Sequence, residues 1–450
     1  MKSLTTAALM ALFAGATLAT SMATSVAVAA PLACPVGTET RGIVDGIEVC
    51  ALRGRYAAQQ LTLKAGKDYV LEGGVYIGGD NQENSELFIE PGVRIFGQSG
   101  ADFLVITRGS RIYAQGTASK PIIFTSAKKQ ARKRGEWGGV VLNGNAPINA
   151  CKEGATVCEG EGEGGTGKYG GTDVNDSSGI LKYVRVEFAG FPVSPDNELN
   201  GITFNAVGRN TIVDYIQVHM NADDGIEFFG GYVVIKHVVL SDNEMDWDYG
   251  WKGRGQFIMI QQFADAADNG FESDNNKTAQ AAEPRSMPTL SNVTMIGAQT
   301  KGSYGMLLRK GTGAHLSSML ITGFAKAGID IDDNETFKHG GTLTGSPVAA
   351  TGLTIENSIV FNTKNFETGE KDAAGVLVVE PWLVEAWFKS QAGNQVVEPA
   401  LNGWFPTASS PAIGAGVTPN DAWFNYADYV GAFADESDDW TAGWIQTARD

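Results

Sequence analysis

Short apolar runs alternate with clusters of Gly, Asn and Asp along most of the chain, and one run recurs with acidic residues in it. Gly225-Ile226-Glu227-Phe228, Asp246-Trp247-Asp248-Tyr249 and Gly270-Phe271-Glu272-Ser273 follow one another at intervals of roughly 20 to 25 residues. A repeat of this length predicts one coil of a stacked β architecture, because a single coil cannot bury its own apolar face. Related runs are Gly201–Phe204, Gly305–Leu308 and Gly328–Ile331.

A second strand-like run follows most copies of the first, and helical periodicity is nearly absent. The two runs per repeat predict an all-β protein, a right-handed parallel β-helix solenoid with β-branched residues stacked inside and polar residues outside. N- and C-terminal caps are expected at its open ends. The second runs are Tyr215–Val218, His237–Leu240, Phe257–Ile260, Asn292–Met295, Ser318–Ile321 and Asn357–Val360.

Alternation along the acidic runs assigns each side chain to a face. The apolar positions Ile226, Phe228, Trp247, Tyr249 and Phe271 share one parity and are predicted to point into the core. Two carboxylate columns are then predicted on the outer face, with about 4.8 Å between successive side chains. The columns are Glu227, Asp248 and Glu272, and Asp223, Glu244 and Asp268.

Like charges at that spacing repel by roughly 1 kcal/mol in water and by about 3 to 4 kcal/mol at an effective dielectric of about 20. A bound hard cation, a basic side chain between the carboxylates, or a retained proton would offset this repulsion. Calcium is the cation predicted, with both columns as its ligands. The alternative is a hydrated acidic face with no ligand.

Basic and aromatic residues near the columns are candidates for binding a sugar. Trp251 is predicted to stack on a sugar ring beside Lys252 and Arg254. Arg309 and Lys310 are further basic candidates to lie between the carboxylates. If the face is catalytic, its acid and base are expected among Asp224, Asp246 and Asp248.

A formal net charge of −17 argues against binding to nucleic acid or to an anionic membrane. Residues 1–30 are predicted to be a signal peptide, with Lys2, the apolar run Ala7–Ala19 and the small-residue site Ala27-Val28-Ala29. The mature chain is then exported, to the extracellular space or cell surface, with the periplasm as the alternative, and has no transmembrane segment. Pro31-Leu32-Ala33-Cys34 resembles a lipoprotein processing site, which would attach the product to the outer membrane.

The predicted domains are a disulfide-stapled N-terminal cap at residues 31–75, the β-helix at 76–374 and a C-terminal cap at 375–450. An insertion at residues 150–179, rich in Gly and acidic residues, is expected to be a surface loop that lines a ligand site. The chain has 4 cysteines, which allow three pairings. Proximity along the chain favours Cys34 with Cys50 and Cys151 with Cys158.

Several segments together resemble a family of exported bacterial β-helix proteins, some of which look like outer-membrane lipoproteins. They are Gly109–Ser126, Arg134–Asn149, Tyr183–Gly190, Asp223–Gly231, Asp246–Trp251, Ser409–Gly416 and Trp440–Trp444. The resemblance implies the pectate-lyase-like fold and an exported location, and it transfers no reaction.

Asn221-Ala222-Asp223-Asp224-Gly225 is also similar to the paired-Asp segment of polygalacturonase-type glycosidases, but their Gly-His-Gly segment has no match. The Arg-x-Pro-x-x-Arg signature of pectate lyases has no match either. The sequence therefore favours an exported protein that binds calcium and a polysaccharide or other surface partner through its acidic face. The alternatives are a calcium-dependent polysaccharide lyase or inverting glycoside hydrolase, and a structural surface protein.

Overall fold

The structure is a computed structural model, which describes residues 33–449 except 196, 267, 300–302, 343–351 and 370–375. The chain divides into two compact units, Met1–Ala33 and Cys34–Asp450, and every described strand lies in the second. The predicted signal peptide lies outside the described residues.

The N-terminal half of the second unit consists of short strands separated by tight turns. The first ten strands are β1 (Glu39–Val44), β2 (Ile47–Tyr56), β3 (Gln60–Leu63), β4 (Lys67–Ile77), β5 (Glu86–Ile89), β6 (Arg94–Gly97), β7 (Phe103–Ile106), β8 (Arg111–Gln115), β9 (Ile122–Ser126) and β10 (Gly139–Asn143). The predicted insertion follows, with β11 (Gly160–Gly162), a 3₁₀ turn (Glu163–Gly165) and β12 (Gly167–Tyr169). Next come β13 (Gly179–Glu187), β14 (Pro192–Ser194) and β15 (Asn197–Glu198).

The acidic repeats lie in a regular series of short and long strands. These are β16 (Ile202–Asn205), β17 (Ile212–His219), β18 (Ile226–Phe229), β19 (Val234–Ser241), β20 (Met245–Asp248), β21 (Arg254–Gln261), β22 (Phe271–Ser273), β23 (Thr289–Ile296), β24 (Tyr304–Leu308), β25 (Ala314–Thr322) and β26 (Ala327–Ile331). The last elements are α1 (Asn334–Gly340), β27 (Leu353–Glu356), β28 (Ile359–Phe361), α2 (Val384–Ser390), β29 (Gln395–Val396), β30 (Leu401–Asn402) and β31 (Phe405–Pro406).

Strands of successive coils pair in parallel, which confirms the prediction of a parallel β-helix. The short strands pair in the order β10, β16, β18, β20, β22, β24 and β26 and form one face, here called the acidic sheet. The long strands β13, β17, β19, β21, β23 and β25 pair in the same way. Parallel pairing already joins β2 to β4, before the predicted boundary at residue 75.

Each long strand contains one residue with a positive φ, which turns the strand sharply and divides it between two faces. These corner residues are Tyr183, Tyr215, His237, Phe257, Asn292 and Ser318, with φ between 49° and 59°. Left-handed backbone costs free energy for such residues, so neighbouring coils must support it. The rings of Tyr183 and Tyr215 stack at 4.4 Å, and those of Tyr215 and His237 at 4.3 Å.

Inward side chains of all the faces meet in one core. Phe204 and Phe228 stack at 5.4 Å, and Trp247 lies edge-on to Phe271 at 5.3 Å. Trp247 is fully buried, as alternation predicted. Tyr249 was predicted to point into this core and does not, because its φ of 47° ends the alternation after Asp248. It packs beside Phe229 at 5.6 Å in a small separate cluster.

The C-terminal tail, residues 402–449, lies across the long strands and covers their outer face. Gln217 Nε2 donates to Gln446 O at 2.7 Å, and Asn292 Nδ2 donates to Tyr429 O at 2.8 Å. The outward residues Val239 and Met259 are buried with Phe433. This whole tail belongs to the segment predicted as the C-terminal cap, but it covers the side of the coils.

Candidate functional site

The acidic sheet stacks a carboxylate from each of three successive coils at one outward position. Glu227 pairs with Asp246, and Asp246 pairs with Glu272. The predicted column had Asp248 in the middle, and this is wrong by two residues along β20. The repeats placed Trp247 beside Ile226. The connection between β18 and β20 is shorter than the repeat suggested, so Met245 pairs with Ile226 instead. A shift of two residues keeps the side chains of β20 on their predicted faces.

Three carboxylates converge at the base of this column. Oxygen atoms of Asp224, Glu227 and Asp246 lie within 4.8 Å of one another. Asp224 comes from the turn before β18, while the other two come from neighbouring strands of the acidic sheet. Glu227 is held in place by Asn200, whose Nδ2 donates to its Oε2.

Further carboxylates surround this group, and burial raises their pKa values. Burial, followed by repulsion from neighbouring carboxylates, holds the pKa values of Asp224, Glu227, Glu244 and Asp246 well above their ordinary range. Burial likewise raises the pKa of Asp223 and of Asp248 to about 7. Asp268 faces Glu244 closely enough to raise the pKa of that carboxyl.

The insertion contributes a carboxylate that sequence reasoning missed. Glu163 lies between β11 and β12, and burial together with Asp223 raises its pKa to about 8. The Gly164 N–H donates to Asn197 Oδ1 at 2.7 Å and fixes the tip of the insertion. Arg108 anchors its base by donating to Glu159 Oε1 at 2.5 Å and to Gly170 O at 3.0 Å. The available signal was the acidic character of the insertion, which was expected to line a site.

Arg309 closes the other end of the column. Its Nε donates to Asp274 Oδ1 at 2.8 Å, and its Nη2 contacts Glu272. These carboxylates raise the pKa of Arg309 further, against the effect of burial. Arg309 is therefore a basic side chain between carboxylates, as predicted, and the carboxylates are Glu272 and Asp274. Its ion pairs do not include Asp224, Glu227 or Asp246. Lys310, also a candidate, pairs with Asp333 at 3.1 Å.

A family model described as a pectate-lyase-like β-helix domain matches residues 54–404 of the chain. The chain belongs to this family. Comparisons with curated proteins and with solved structures gave no match. Membership in the pectate-lyase-like family supports a surface or polysaccharide-related protein.

Both predicted disulfides are present, Cys34–Cys50 and Cys151–Cys158. Disulfides persist in oxidising compartments, so they and the pectate-lyase-like fold are typical of an exported protein. Among the described helices, none has the length and apolar character needed to span a bilayer.

Two of the predicted sugar-binding residues of this family member, Trp251 and Arg254, are held by contacts within the protein. Trp251 is fully buried, stacks on Phe228 at 3.9 Å and donates from Nε1 to Val233 O at 3.3 Å. Its ring therefore has no face for a sugar, because the left-handed Gly250 turns the chain inward. Arg254 pairs with Asp421 of the tail at 2.8 Å. Lys252 lies in the turn between β20 and β21.

The carboxylates around Asp246 fit a hard cation, because two of their buried oxygen atoms accept no hydrogen bond from a described residue. Asp246 Oδ1 and Glu244 Oε2 are buried and have no hydrogen-bond partner among the described residues. A buried oxygen without a partner costs roughly 1 to 3 kcal/mol, and more when it is charged. Calcium prefers a set of oxygen ligands of this kind, with carboxylates from flexible positions. Asp224, Glu227 and Asp246 are the residues that would hold it, with Glu244 adjacent.

Proposed function

We propose that this protein binds Ca²⁺ at Asp224, Glu227 and Asp246 and uses the loaded acidic face to hold an extracellular polysaccharide. The observation that carries the proposal is the convergence of three carboxylates within 4.8 Å, beside buried oxygens that no described donor satisfies. The cation would replace the protons that the raised pKa values keep on these groups. Asp223, Asp248, Asp268 and Glu272 would complete the negative field around it.

A cavity at the end of β20 supports a sugar as the partner. It has a volume of about 390 Å³ and is lined by the insertion and by the segments that follow β20 and β22, among them Asn149, Lys152, Lys168, Tyr249 and Asn276. Tyr249 directly follows Asp248, the last residue of β20, so the cavity begins where this strand of the acidic sheet ends. Amide, ammonium and phenol groups beside an aromatic ring are suited to sugar hydroxyls.

Calorimetric titration with Ca²⁺ tests the metal site. We expect the wild-type protein to bind calcium, and Asp246→Asn to weaken binding at least about tenfold. Asp173→Asn is the matched control, since Asp173 is exposed and its carboxylate accepts from the Asn175 N–H in the same turn. Equal affinities for Asp246→Asn and wild type would contradict the proposal.

Catalysis is the second candidate function. One observation, the raised pKa of Arg309, favours binding over catalysis by an arginine base. An arginine base must lose a proton, and Asp274 and Glu272 hold the pKa of Arg309 above its ordinary value. A carboxylate acid and base remain available in Asp224, Asp246 and Asp248. Incubation with acidic and neutral polysaccharides plus calcium decides between the two. New reducing ends or unsaturated uronates that are lost in Asp248→Asn would establish an enzyme.

We further propose export without a lipid on Cys34. The Cys34 sulfur is bonded to Cys50, and a lipid thioether needs the same atom. Intact-mass measurement of the exported protein tests this, because a lipid would add its mass and leave Cys50 free.

A further inference from the structure

A second cavity, of about 470 Å³, opens over the beginnings of β17, β19 and β21, beside Trp423 of the tail. Outward side chains of successive coils line it, because Ile212 pairs with Val234 and Asp214 pairs with Lys236. Its volume lies in the range of pockets that hold small ligands. No described residue of the acidic sheet lines it, so this cavity is separate from the candidate calcium site.

Trp423 forms an aromatic wall of the cavity, and contacts of the tail on either side hold it in place. Asn425 N donates to Gln256 Oε1 at 2.8 Å, and Gln256 Nε2 donates to Asn425 O at 2.8 Å. Trp423 N donates to Asp421 Oδ1 at 2.9 Å, and Asp421 neutralises Arg254 at 2.8 Å. The Trp423 side chain is partly exposed. A fixed, partly exposed ring therefore faces a solvent-filled cavity.

Two basic side chains that line the cavity make no ion pair with a described carboxylate. Arg209 is exposed and lies over the ring of Tyr232 at 5.4 Å. Lys236 Nζ donates to Trp423 O at 3.1 Å and to Asn425 Oδ1 at 3.2 Å, and both acceptors are neutral. An ammonium group has three donors, so one donor of Lys236 remains for a ligand.

Asp214 is the carboxylate that lines the described part of this cavity, and other groups engage both of its oxygens. Its Oδ1 lies 2.8 Å from His237 Nδ1, and its Oδ2 lies 3.3 Å from Lys182 Nζ. Burial lowers the pKa of Lys236, and Asp214 offsets only part of that effect. A bound anionic group would supply the missing countercharge, although the whole chain carries a formal net charge of −17.

We propose that this cavity binds an anionic sugar residue of a polysaccharide, with Trp423 against the sugar ring and with Lys236 and Arg209 on its carboxylate or sulfate group. An aromatic ring beside polar groups suits a sugar ring, and ammonium and guanidinium groups form strong, charge-assisted hydrogen bonds to such anions. The site needs no calcium and does not rest on the acidic sheet. Uronate and sulfated sugars share this chemistry, and titration distinguishes them.

Calorimetric titration in chelator tests the site without a contribution from calcium. Oligogalacturonate and a sulfated dextran oligosaccharide are titrated separately into the exported protein, with neutral dextran as the comparison. We expect at least one anionic sugar to bind with a dissociation constant of about 10 μM to 1 mM, and at least about tenfold more weakly in about 0.5 M salt than in about 0.05 M salt. Equal binding of neutral dextran, or no binding of either anionic sugar, would overturn the proposal.

Variants locate the bound sugar. Lys236→Gln and Trp423→Leu are each expected to weaken binding at least about tenfold, because one removes the charge and the other the ring. Lys326→Gln is the matched control, since Lys326 also lies over an aromatic ring, that of Tyr304 at 4.2 Å, between β25 and β26. Melting curves confirm that each variant is folded. Unchanged binding in either cavity variant would overturn the proposal.

Two further titrations exclude other ligands and other places. Poly-glutamate that binds as tightly as the anionic sugars, and is lost in Lys236→Gln, would make the cavity a site for acidic polypeptide and overturn the proposal. Asp246→Asn is expected to lose calcium binding and to keep the sugar binding measured in chelator, so the two proposals fail independently. Sugar binding that requires calcium and is lost in Asp246→Asn alone would place the sugar on the acidic sheet and overturn this site.

Discussion

The acidic sheet and the face under the tail are two outward surfaces of the same coils, and they bury different kinds of polar side chain. Under the tail, Gln217 and Asn292 are fully buried and each donates to a backbone carbonyl. On the acidic sheet, Asp246 and Glu244 each bury an oxygen with no partner among the described residues. Buried amides that donate to a backbone carbonyl have a structural role, whereas carboxyl groups buried side by side with unpartnered oxygens are typical of a functional site.

The largest effect on stability is expected from a substitution in the tail itself. Trp444 is 1% exposed, lies edge-on to Tyr183 at 5.7 Å and donates to Trp440 O at 2.9 Å. Trp444→Ala should lower the free energy of unfolding by about 3 to 5 kcal/mol, because it removes a large buried ring. Urea unfolding measures this. Calcium affinity should not change, and a parallel loss of affinity would show that the two surfaces are not independent.

Calcium is expected to stabilise the protein through the acidic sheet alone. At about 100 times its dissociation constant it should add roughly 2.7 kcal/mol to the free energy of unfolding. Melting temperatures with calcium and with chelator provide the measurement. The increment should persist in Trp444→Ala and fall to about 1.4 kcal/mol or less in Asp246→Asn at the same calcium concentration. Identical melting temperatures for wild type in both conditions would remove the metal site.

Without calcium, stability should fall as the pH rises. A carboxyl whose pKa is raised in the folded state contributes stability that is complete below its unfolded pKa and is lost as the pH rises through its folded pKa. For Asp223 and Asp248 the folded pKa is about 7, so the loss extends from about pH 4 to pH 7. The expected size is on the order of 4 kcal/mol for each of the two carboxyl groups. Urea unfolding in chelator across this range checks it, and Asp248→Asn should flatten the slope.

The smallest effect is expected at Arg254, which the sequence suggested as a ligand-binding residue. Its pair with Asp421 is 33% and 38% exposed, so Arg254→Ala should cost up to about 1 kcal/mol. Calcium and polysaccharide binding should be unchanged in titrations of this variant. A selective loss of sugar binding would restore Arg254 to the site.

Alternation predicted the faces of the acidic strands correctly because side chains in a strand repeat every two residues whatever the connections do. It could not predict the register of β20, since that depends on the length of a turn, and Asp246 rather than Asp248 came to lie between Glu227 and Glu272. Trp251 was misplaced because a left-handed glycine redirected the chain. Glu163 was out of reach because a tertiary contact through Arg108 positions its loop.

The path of the tail also bears on how the molecule comes apart. Stacked coils contact only their neighbours, so solenoids tend to fray from one end with stepwise transitions. Here the tail is tied to two coils that lie several coils apart, because Arg185 donates to Trp444 O and Ser318 donates to Val417 O. Releasing any coil in that span requires the tail to detach from the rest. The central coils should therefore exchange their amide protons as one cooperative unit, with fraying confined to the coils that the tail leaves untied.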